Sequence, residues 1–228
     1  EQARAARPLF VGTDAIRKML VPTSILSSSR RVTRNAEKEK SDMEEQNGTI
    51  RILGFAGSLR SASFNRKLLA AAQDLAPEGM EIEIFDLKDI PLYNGDVESE
   101  GDPVAVTEFK EKIRAANGLL IVTPEYNSSI PAVTKNAVDW ASRPPEPPLG
   151  GKPVGILGGS PGRLGTVYAQ EHLRLALMNP QCRVMLRPAI FVDTIHKKFD
   201  EAGTLTDEVT RGLLVKFLES LRDWTAAG

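Results

Sequence analysis

The chain has 228 residues, 41% of them hydrophobic, and its 29 basic and 30 acidic side chains leave a formal net charge of −1. This balance gives no electrostatic case for binding nucleic acid or an anionic membrane, and it argues against an electron carrier that docks through an acidic surface. The single cysteine, Cys182, excludes an internal disulfide and a cysteine zinc cluster, so a reducing cytoplasm is the expected location, and no apolar run is long enough to cross a bilayer.

Residues 1–48 differ in composition from the rest of the chain. They are rich in arginine and contain the run Ser27–Ser29, with few acidic residues before position 37. Such a leader is one signature of an organelle transit peptide. The alternative is a non-native extension, because Met43 would make a natural start just before the first strand. We expect 1–48 to be a poorly structured extension, with at most a helical turn at Asp14–Leu20, and 49–228 to be one domain.

From residue 49 onward, segments with strand and helix patterns alternate. Ile50–Ala56 is a short, branched apolar run typical of a buried strand, and Ser63–Ala76 carries apolar residues at helical spacing. Met80–Leu87 alternates apolar and acidic residues, as an edge strand with one solvated face does. Ile90–Asp96 is predicted as a loop and Pro103–Asn117 as the second helix.

The second half of the chain continues this alternation. Leu119–Thr123 is almost entirely apolar, which is typical of a central strand in a parallel sheet. The elements predicted after it are a helix at Pro131–Arg143, a strand at Pro153–Leu157, a helix at Thr166–Met178, a last strand formed by Cys182–Leu186 and Ala189–Val192 with an interruption at Pro188, and a C-terminal helix at Leu205–Trp224.

Five strands, each followed by a helix, indicate an α/β fold with a parallel sheet between two helix layers. Five strands favour a flavodoxin-like three-layer sandwich with strand order 2-1-3-4-5. In that order a ligand binds at the carboxyl ends of strands 1, 3 and 4, next to the point where the winding direction reverses.

The loop after the first strand, Gly57-Ser-Leu-Arg-Ser-Ala-Ser-Phe-Asn65, has the composition of an anion site. Ser58 and Ser63 offer hydroxyls, Arg60 a positive charge and Asn65 an amide, next to the N-terminus of a helix. Neither the Walker spacing nor G-x-G-x-x-G is present. The pattern therefore predicts a phosphate held by hydroxyls and amides, as that of flavin mononucleotide (FMN) is. The alternative role for these polar side chains is capping of the helix.

Two further loops would lie at the same edge of the sheet. Pro124-Glu-Tyr-Asn-Ser-Ser-Ile-Pro131 follows the third strand, and Gly158-Gly-Ser-Pro-Gly-Arg-Leu-Gly165 follows the fourth. A loop that begins with proline is stiff and presents its amides in a fixed direction, which suits a flat ligand whose reduced form needs hydrogen-bond donors.

With these three loops in place, the chain resembles the NADPH-dependent FMN reductase family of flavodoxin-like quinone, chromate and azo-dye reductases. The resemblance covers about residue 49 to the C-terminus and rests on Gly57–Asn65, on Pro124–Asn127 with Lys135–Arg143, and on Gly159-Ser160. It implies an oxidoreductase that passes a hydride from NADPH, or NADH, through bound FMN to quinones, flavins, azo dyes or chromate by a ping-pong mechanism. It also implies a homodimer or homotetramer, with no metal and no catalytic side chain.

The resemblance assigns roles to individual residues. The phosphate loop would comprise Ser58, Arg60, Ser63, Phe64 and Asn65. The loop that frames the isoalloxazine ring would comprise Pro124, Glu125, Tyr126 and Asn127, and Ser160 would lie beside the pyrimidine side of the flavin. The chain departs from the family pattern at Ser128 and Ala132, where glycine is common, and at Gly165–Tyr168.

Several other residues have simpler expected roles. Glu125 is expected to be exposed or paired at a subunit interface rather than to act as a general base. His172 and His196 are expected to be structural, and Cys182 to be a buried small side chain.

The sequence leaves open the location of two residues and the preference between NADPH and NADH. Trp140 and Val138 could be core residues or a subunit contact, and the resemblance favours the contact. A preference for NADPH would need a basic side chain for the 2′-phosphate, and Arg60, Arg163 or Arg143 could supply it.

Two other functions are also compatible with the sequence. The first is a flavodoxin-like electron carrier or FMN-binding redox sensor without nicotinamide turnover. The second is a flavin-free α/β protein whose loops bind another phosphate ligand.

Overall fold

The computed structural model of the protein describes residues 48–228. Its sheet comprises β1 (Ile50–Ala56), β2 (Met80–Phe85), β3 (Gly118–Val122), β4 (Pro153–Gly159), β5 (Arg183–Val184) and β6 (Ile190–Val192). All paired strands are parallel, in the order β2-β1-β3-β4-β5, with β6 also paired to β4. The predicted flavodoxin-like order is confirmed. The predicted extension, with its helical turn at Asp14–Leu20, lies outside the described residues except for Gly48.

The fifth position of the sheet is filled by two short strands. In register, Pro153 of β4 faces Arg183 of β5, and Leu157 of β4 faces Ile190 of β6. The predicted interruption at Pro188 lies between them, where a residue without an N–H group cannot extend the ladder.

Six α-helices flank the described sheet: α1 (Phe64–Asp74), α2 (Gly95–Glu100), α3 (Val104–Ala115), α4 (Ala132–Ala141), α5 (Val167–Met178) and α6 (Glu208–Ala226). Five of them were predicted within a few residues. The sixth, α2, begins inside the segment predicted as a loop. It is capped by the Asn94 side chain, which accepts from the N–H of Asp96 at 2.9 Å. None of its residues is buried, so it has no apolar periodicity for the sequence to display.

The core consists of two layers of apolar side chains, one on each face of the sheet. Successive residues of a strand point to opposite faces, so Ile52 joins the layer under α1 and α6 while Leu53 joins the layer under α3, α4 and α5. Helix α6 contributes Phe217 to the first layer, and α3 contributes Phe109 to the second. The two layers hold the carboxyl ends of the central strands at one edge.

Trp140 and Val138 lie in the interior of the protomer. Trp140 is fully buried and Val138 is 5% exposed. The Trp140 indole N–H donates to the carbonyl of Pro91 at 2.8 Å, and its ring meets Tyr93 edge-on at 5.0 Å. The expectation of a subunit contact at these two residues is wrong, because the segment after β2 folds back over this side of α4.

The cap of α6 gives a pH-dependent contribution to stability. The Asp207 carboxylate accepts from the Thr210 hydroxyl at 2.6 Å and from the Thr210 N–H at 2.9 Å, and these bonds, with nearby Lys198, lower the pKa of Asp207. We expect Asp207→Ala to lower the free energy of unfolding by about 1 kcal/mol at neutral pH.

A carboxyl whose pKa is lowered by folding stabilises the protein above its unfolded pKa, and this contribution is lost as the pH falls through the folded pKa. The destabilisation by Asp207→Ala should therefore shrink in acid. Urea denaturation of both proteins at neutral pH and near pH 3 measures it, and an equal destabilisation at both pH values would contradict the assignment.

Candidate functional site

Three loops converge at the carboxyl edge of the sheet. Asn65, at the start of α1, donates from its side-chain amide to the carbonyl of Gly159 and accepts from the Gly159 N–H, both at 2.9 Å. The Ser58 hydroxyl lies 3.5 Å from the Tyr126 hydroxyl. The loop after β1 is thus joined to the end of β4 and to the loop after β3, and the three loops form one cleft.

The N-terminus of α1 has the features of an anion site. Ser58 and Ser63 are 3% and 5% exposed. Ser63 occupies the capping position but makes no side-chain capping bond, and the first turn contains no acidic residue. The first N–H groups of a helix have no partner within it and carry a partial positive charge. The chemistry of this donor set, with no acidic side chain in the first turn to oppose an anion, suits a phosphate.

The other residues of the phosphate loop occupy different places. Arg60 is exposed and has no ion pair within residues 48–228, and its carbonyl accepts from the Ser63 N–H at 3.1 Å. Phe64 packs against Phe199, with ring centroids 5.7 Å apart. The Asn65 amide donates one N–H to the Gly159 carbonyl and accepts from the Gly159 N–H, so in this structure it fastens the loop after β1 to the end of β4 and keeps one further N–H to donate.

The loop after β3 contains a two-residue hairpin. Tyr126 and Ser129 exchange backbone hydrogen bonds of 3.0 and 3.1 Å. Asn127 and Ser128 between them have φ angles of 51° and 58°. Positive φ at both central positions defines a type I′ turn, whose preferred sequence is Asn-Gly. Tyr126 is 49% exposed at the mouth of the cleft, with Pro124 buried behind it.

Ser128 therefore stands where glycine is favoured, and replacing it should stabilise the protein. We expect Ser128→Gly to raise the free energy of unfolding by about 0.5 kcal/mol. Glycine removes the steric cost of the left-handed conformation, and this gain is larger than the cost of the greater conformational entropy that glycine has in the unfolded chain. Ser128→Ala is the matched control, since it removes the same hydroxyl without relieving the backbone. Chemical denaturation should show a gain for glycine alone, and a gain for both variants would attribute it to the hydroxyl.

Glu125 caps a neighbouring helix. Its carboxylate accepts from the N–H of Ala169 at 3.0 Å, in the first turn of α5, where the N-cap residue Thr166 makes no side-chain capping bond. Within the protomer Glu125 is partly buried, because the helix dipole and an N–H without a partner in the helix attract the carboxylate. A second link joins Ser129 to His172, whose Nδ1 lies 2.9 Å from the serine hydroxyl.

Ser160 is held by the turn that follows β6. Its N–H donates to the carbonyl of Val192 at 3.1 Å and its carbonyl accepts from the N–H of Ile195 at 3.0 Å. Its hydroxyl accepts from the N–H of Gly162 at 3.2 Å, which leaves the hydroxyl proton free to point elsewhere. The Gly162 carbonyl accepts from the N–H of Thr194 at 3.2 Å. The sequence did not predict that the turn after β6 supports the loop after β4, because the hydrogen bonds between them are made mainly by backbone atoms.

The part of the chain that the structure describes contains neither a metal-binding cluster nor a thiol of lowered pKa. Between residues 48 and 228, no group of three histidine, cysteine, aspartate or glutamate side chains could hold a metal ion. Burial raises the pKa of the Cys182 thiol to about 11, so it stays protonated at neutral pH. No helix in the same part of the chain is both long and apolar enough to cross a membrane.

Comparison with known proteins gives a consistent result. The family model described as NADPH-dependent FMN reductase matches residues 50–197. An NAD(P)H-dependent FMN reductase of Pseudomonas aeruginosa is 49% identical over 175 residues, which cover 77% of this chain and 95% of that protein. A 2-hydroxy-1,4-benzoquinone reductase of a Burkholderia species is 41% identical, with 77% and 96% of the two chains covered.

A solved structure shows the same fold. The flavoenzyme NAD(P)H:(acceptor) oxidoreductase FerB from Paracoccus denitrificans superposes with a TM-score of 0.72 at 34% sequence identity. The match covers 78% of this chain and 98% of that one.

Proposed function

The chain belongs to the NADPH-dependent FMN reductase family, and on that premise we propose that it is an FMN-dependent NAD(P)H oxidoreductase that reduces quinones. The observation that carries the proposal is the joining of three loops around an uncapped helix N-terminus. The bonds from Asn65 to Gly159 and the approach of Ser58 to Tyr126 support a single cleft in which a flavin nucleotide fits.

We place the FMN phosphate at the start of α1. Ser58 and Ser63 would donate their hydroxyl protons, Arg60 would add its charge, and the first N–H groups of α1 would complete the set. Hydrogen bonds from several fixed donors to a dianion are among the strongest that a protein makes. Asn65 and Phe64 would act by holding this loop against β4 and Phe199.

We place the isoalloxazine ring between the hairpin and the loop after β4. Pro124, Tyr126 and Asn127 would frame one side, and Ser160 would lie beside the pyrimidine side. Glu125 would act indirectly, since its bond to the N–H of Ala169 fixes the hairpin relative to α5. The left-handed turn leaves the backbone of the hairpin little freedom, so its N–H groups keep one direction.

When bound, FMN supplies the redox chemistry, taking a hydride from reduced nicotinamide and delivering electrons to the acceptor. The residues of the chain bind, orient and exclude water. Fixed donors around the ring stabilise negative charge without reorganisation, and no protein nucleophile or metal is required.

Among the relatives described above, the one from Burkholderia is named for reduction of a benzoquinone, which supports quinones as acceptors. A flat aromatic acceptor also suits an open cleft with a half-exposed tyrosine at its mouth. We propose that nicotinamide and acceptor use the cleft in turn, in a ping-pong sequence, and that flavins, azo dyes and chromate are further acceptors.

We also propose that the protein works in the cytoplasm as a homodimer or homotetramer. The outer side of α5 supports self-association, since Tyr168, Leu175 and Met178 are 47%, 67% and 69% exposed there. Apolar side chains grouped on one helix face lose water contact when a second surface covers them.

The test is an anaerobic reduction of the purified protein. After loading with FMN, the yellow flavin absorbance should bleach rapidly on addition of NADPH and return on addition of a benzoquinone. A band that persists with NADPH would indicate an electron carrier or sensor instead. A colourless protein that takes up no FMN would overturn the proposal. Initial rates that give parallel double-reciprocal lines would support the ping-pong sequence.

A further inference from the structure

We propose that Arg163, together with Lys197 of the turn after β6, binds the 2′-phosphate of NADPH and gives the enzyme a preference for NADPH over NADH. This inference rests on the proposed function. It concerns the loop after β4 and the turn after β6, which lie on the Ser160 side of the cleft.

Backbone bonds join the two segments that carry these cations. Arg163 follows Gly162, whose carbonyl accepts from the N–H of Thr194 at 3.2 Å. The N–H of Lys197 in turn donates to the carbonyl of Thr194 at 2.8 Å. Both side chains are exposed, and neither makes an ion pair or side-chain hydrogen bond with any residue between 48 and 228. Two residues after Lys197, Phe199 packs against Phe64 of α1 with ring centroids 5.7 Å apart, which ties the segment that carries Lys197 to the start of α1.

Several other basic side chains are already engaged. Arg143 donates to the Asp139 carbonyl at 3.2 Å and to the Ser142 hydroxyl at 3.1 Å, and its guanidinium lies 5.4 Å from the Tyr93 ring centre. Lys198 pairs with Asp207 at 3.2 Å.

Arg66 is paired as well, and Arg60 belongs to another part of the site. Arg66 makes two bonds to Asp86, at 2.9 and 3.2 Å. Arg60 stands in the phosphate loop, where the proposed function assigns it to FMN. Of the three arginines that the sequence left open, Arg163 is the one whose charge remains for a second phosphate.

The chemistry of the pair suits a phosphate monoester. Arginine presents a planar fork of donors that matches two phosphate oxygens, and lysine adds a mobile point charge. Asp193 is the acidic neighbour in this turn, and its carboxylate accepts from the Thr194 hydroxyl at 3.0 Å. It weakens the local positive potential, so its removal should strengthen binding of the 2′-phosphate.

The experiment compares coenzymes in the FMN-loaded protein. Arg163→Ala and Lys197→Ala should each raise the KM for NADPH about tenfold and leave the KM for NADH unchanged. A tenfold increase is the effect expected from the loss of one exposed charged contact with the 2′-phosphate. Asp193→Asn should lower the KM for NADPH. Arg187→Ala is the charge-matched control, because this exposed arginine precedes β6, at the opposite end of the strand from Lys197.

A binding measurement tests recognition of the 2′-phosphate independently of turnover. Calorimetric titration with adenosine 2′,5′-bisphosphate and with AMP should show a preference for the bisphosphate that Arg163→Ala removes. Equal binding of the two nucleotides, or equal effects of Arg163→Ala and Arg187→Ala, would overturn the inference while the reductase activity stands. A protein that oxidises neither NADPH nor NADH would instead overturn the proposed function.

Discussion

Replacing Asn65 with alanine will loosen the joint between α1 and β4 and weaken FMN binding with it. The Asn65 side chain is 4% exposed and makes two hydrogen bonds of 2.9 Å to Gly159. Alanine leaves both the N–H and the carbonyl of Gly159 buried without these partners, which we expect to cost about 2–4 kcal/mol of unfolding free energy. Because the same joint sets the distance from Ser63 to Ser160, FMN affinity should fall at least about tenfold.

Asn65→Asp provides the matched control for this prediction. Aspartate keeps the acceptor for the Gly159 N–H but places a carboxylate oxygen against the Gly159 carbonyl, so it should retain only part of the stability. Urea denaturation gives the stability, and quenching of flavin fluorescence gives the affinity. If Asn65→Ala leaves both quantities unchanged, the loops are not held together by this amide.

Replacing Gly158 with alanine should have a similarly large effect for a different reason. A Cβ atom at Gly158 would overlap the backbone carbonyl oxygen of Thr123 at the end of β3, and would also come within 2.9 Å of the Thr166 hydroxyl. The carbonyl belongs to a buried strand end and cannot rotate away. We expect a loss of about 3 kcal/mol in unfolding free energy, together with displacement of the loop that carries Ser160.

Gly212 offers the contrasting control for this variant. It lies inside α6, and no atom stands within 4 Å of the position that its Cβ would take. Gly212→Ala should stabilise the protein by about 0.5–1 kcal/mol, since alanine loses less entropy in a helix than glycine does. Thermal unfolding of the two variants should shift in opposite directions. A small effect of Gly158→Ala would mean that the ends of β3 and β4 can separate.

The strand order and the three loops could be predicted from the sequence because they depend on local patterns. The branched apolar run Ile50–Ala56 and the apolar run after Gly118 marked buried parallel strands, and both strands form nearly as predicted. The prediction that the fifth strand breaks at Pro188 followed from the missing N–H group of proline. These signals lie within short segments of the sequence and do not depend on residues far away in the chain.

The remaining features of the site depend on partners far apart in sequence. The Asn65 amide pairs with a backbone 94 residues away, and the Glu125 carboxylate caps a helix 44 residues away. Neither bond leaves a local pattern, so neither was predicted from the sequence. The interior position of Trp140 was missed for the same reason, because its burial depends on the segment at Pro91.

The hairpin at Tyr126–Ser129 shows an intermediate case. Asn127 is a favoured first residue of a type I′ turn, but Ser128 in place of glycine hides the usual signal. The left-handed φ of Ser128 shows that the chain keeps the geometry of the turn despite the substitution. This hairpin is therefore formed at a position where the sequence departs from the family pattern.

The central claim is that the N-terminus of α1 holds the phosphate of FMN in a cleft closed by the other two loops. The most direct measurement is the dissociation constant of FMN against that of riboflavin, which differs only by lacking the phosphate, in the native protein and in a Ser58→Ala, Ser63→Ala double variant. The native protein should bind FMN at least about a hundredfold more tightly, and the double variant should lose most of that difference. Equal affinity for FMN and riboflavin in the native protein would contradict the claim.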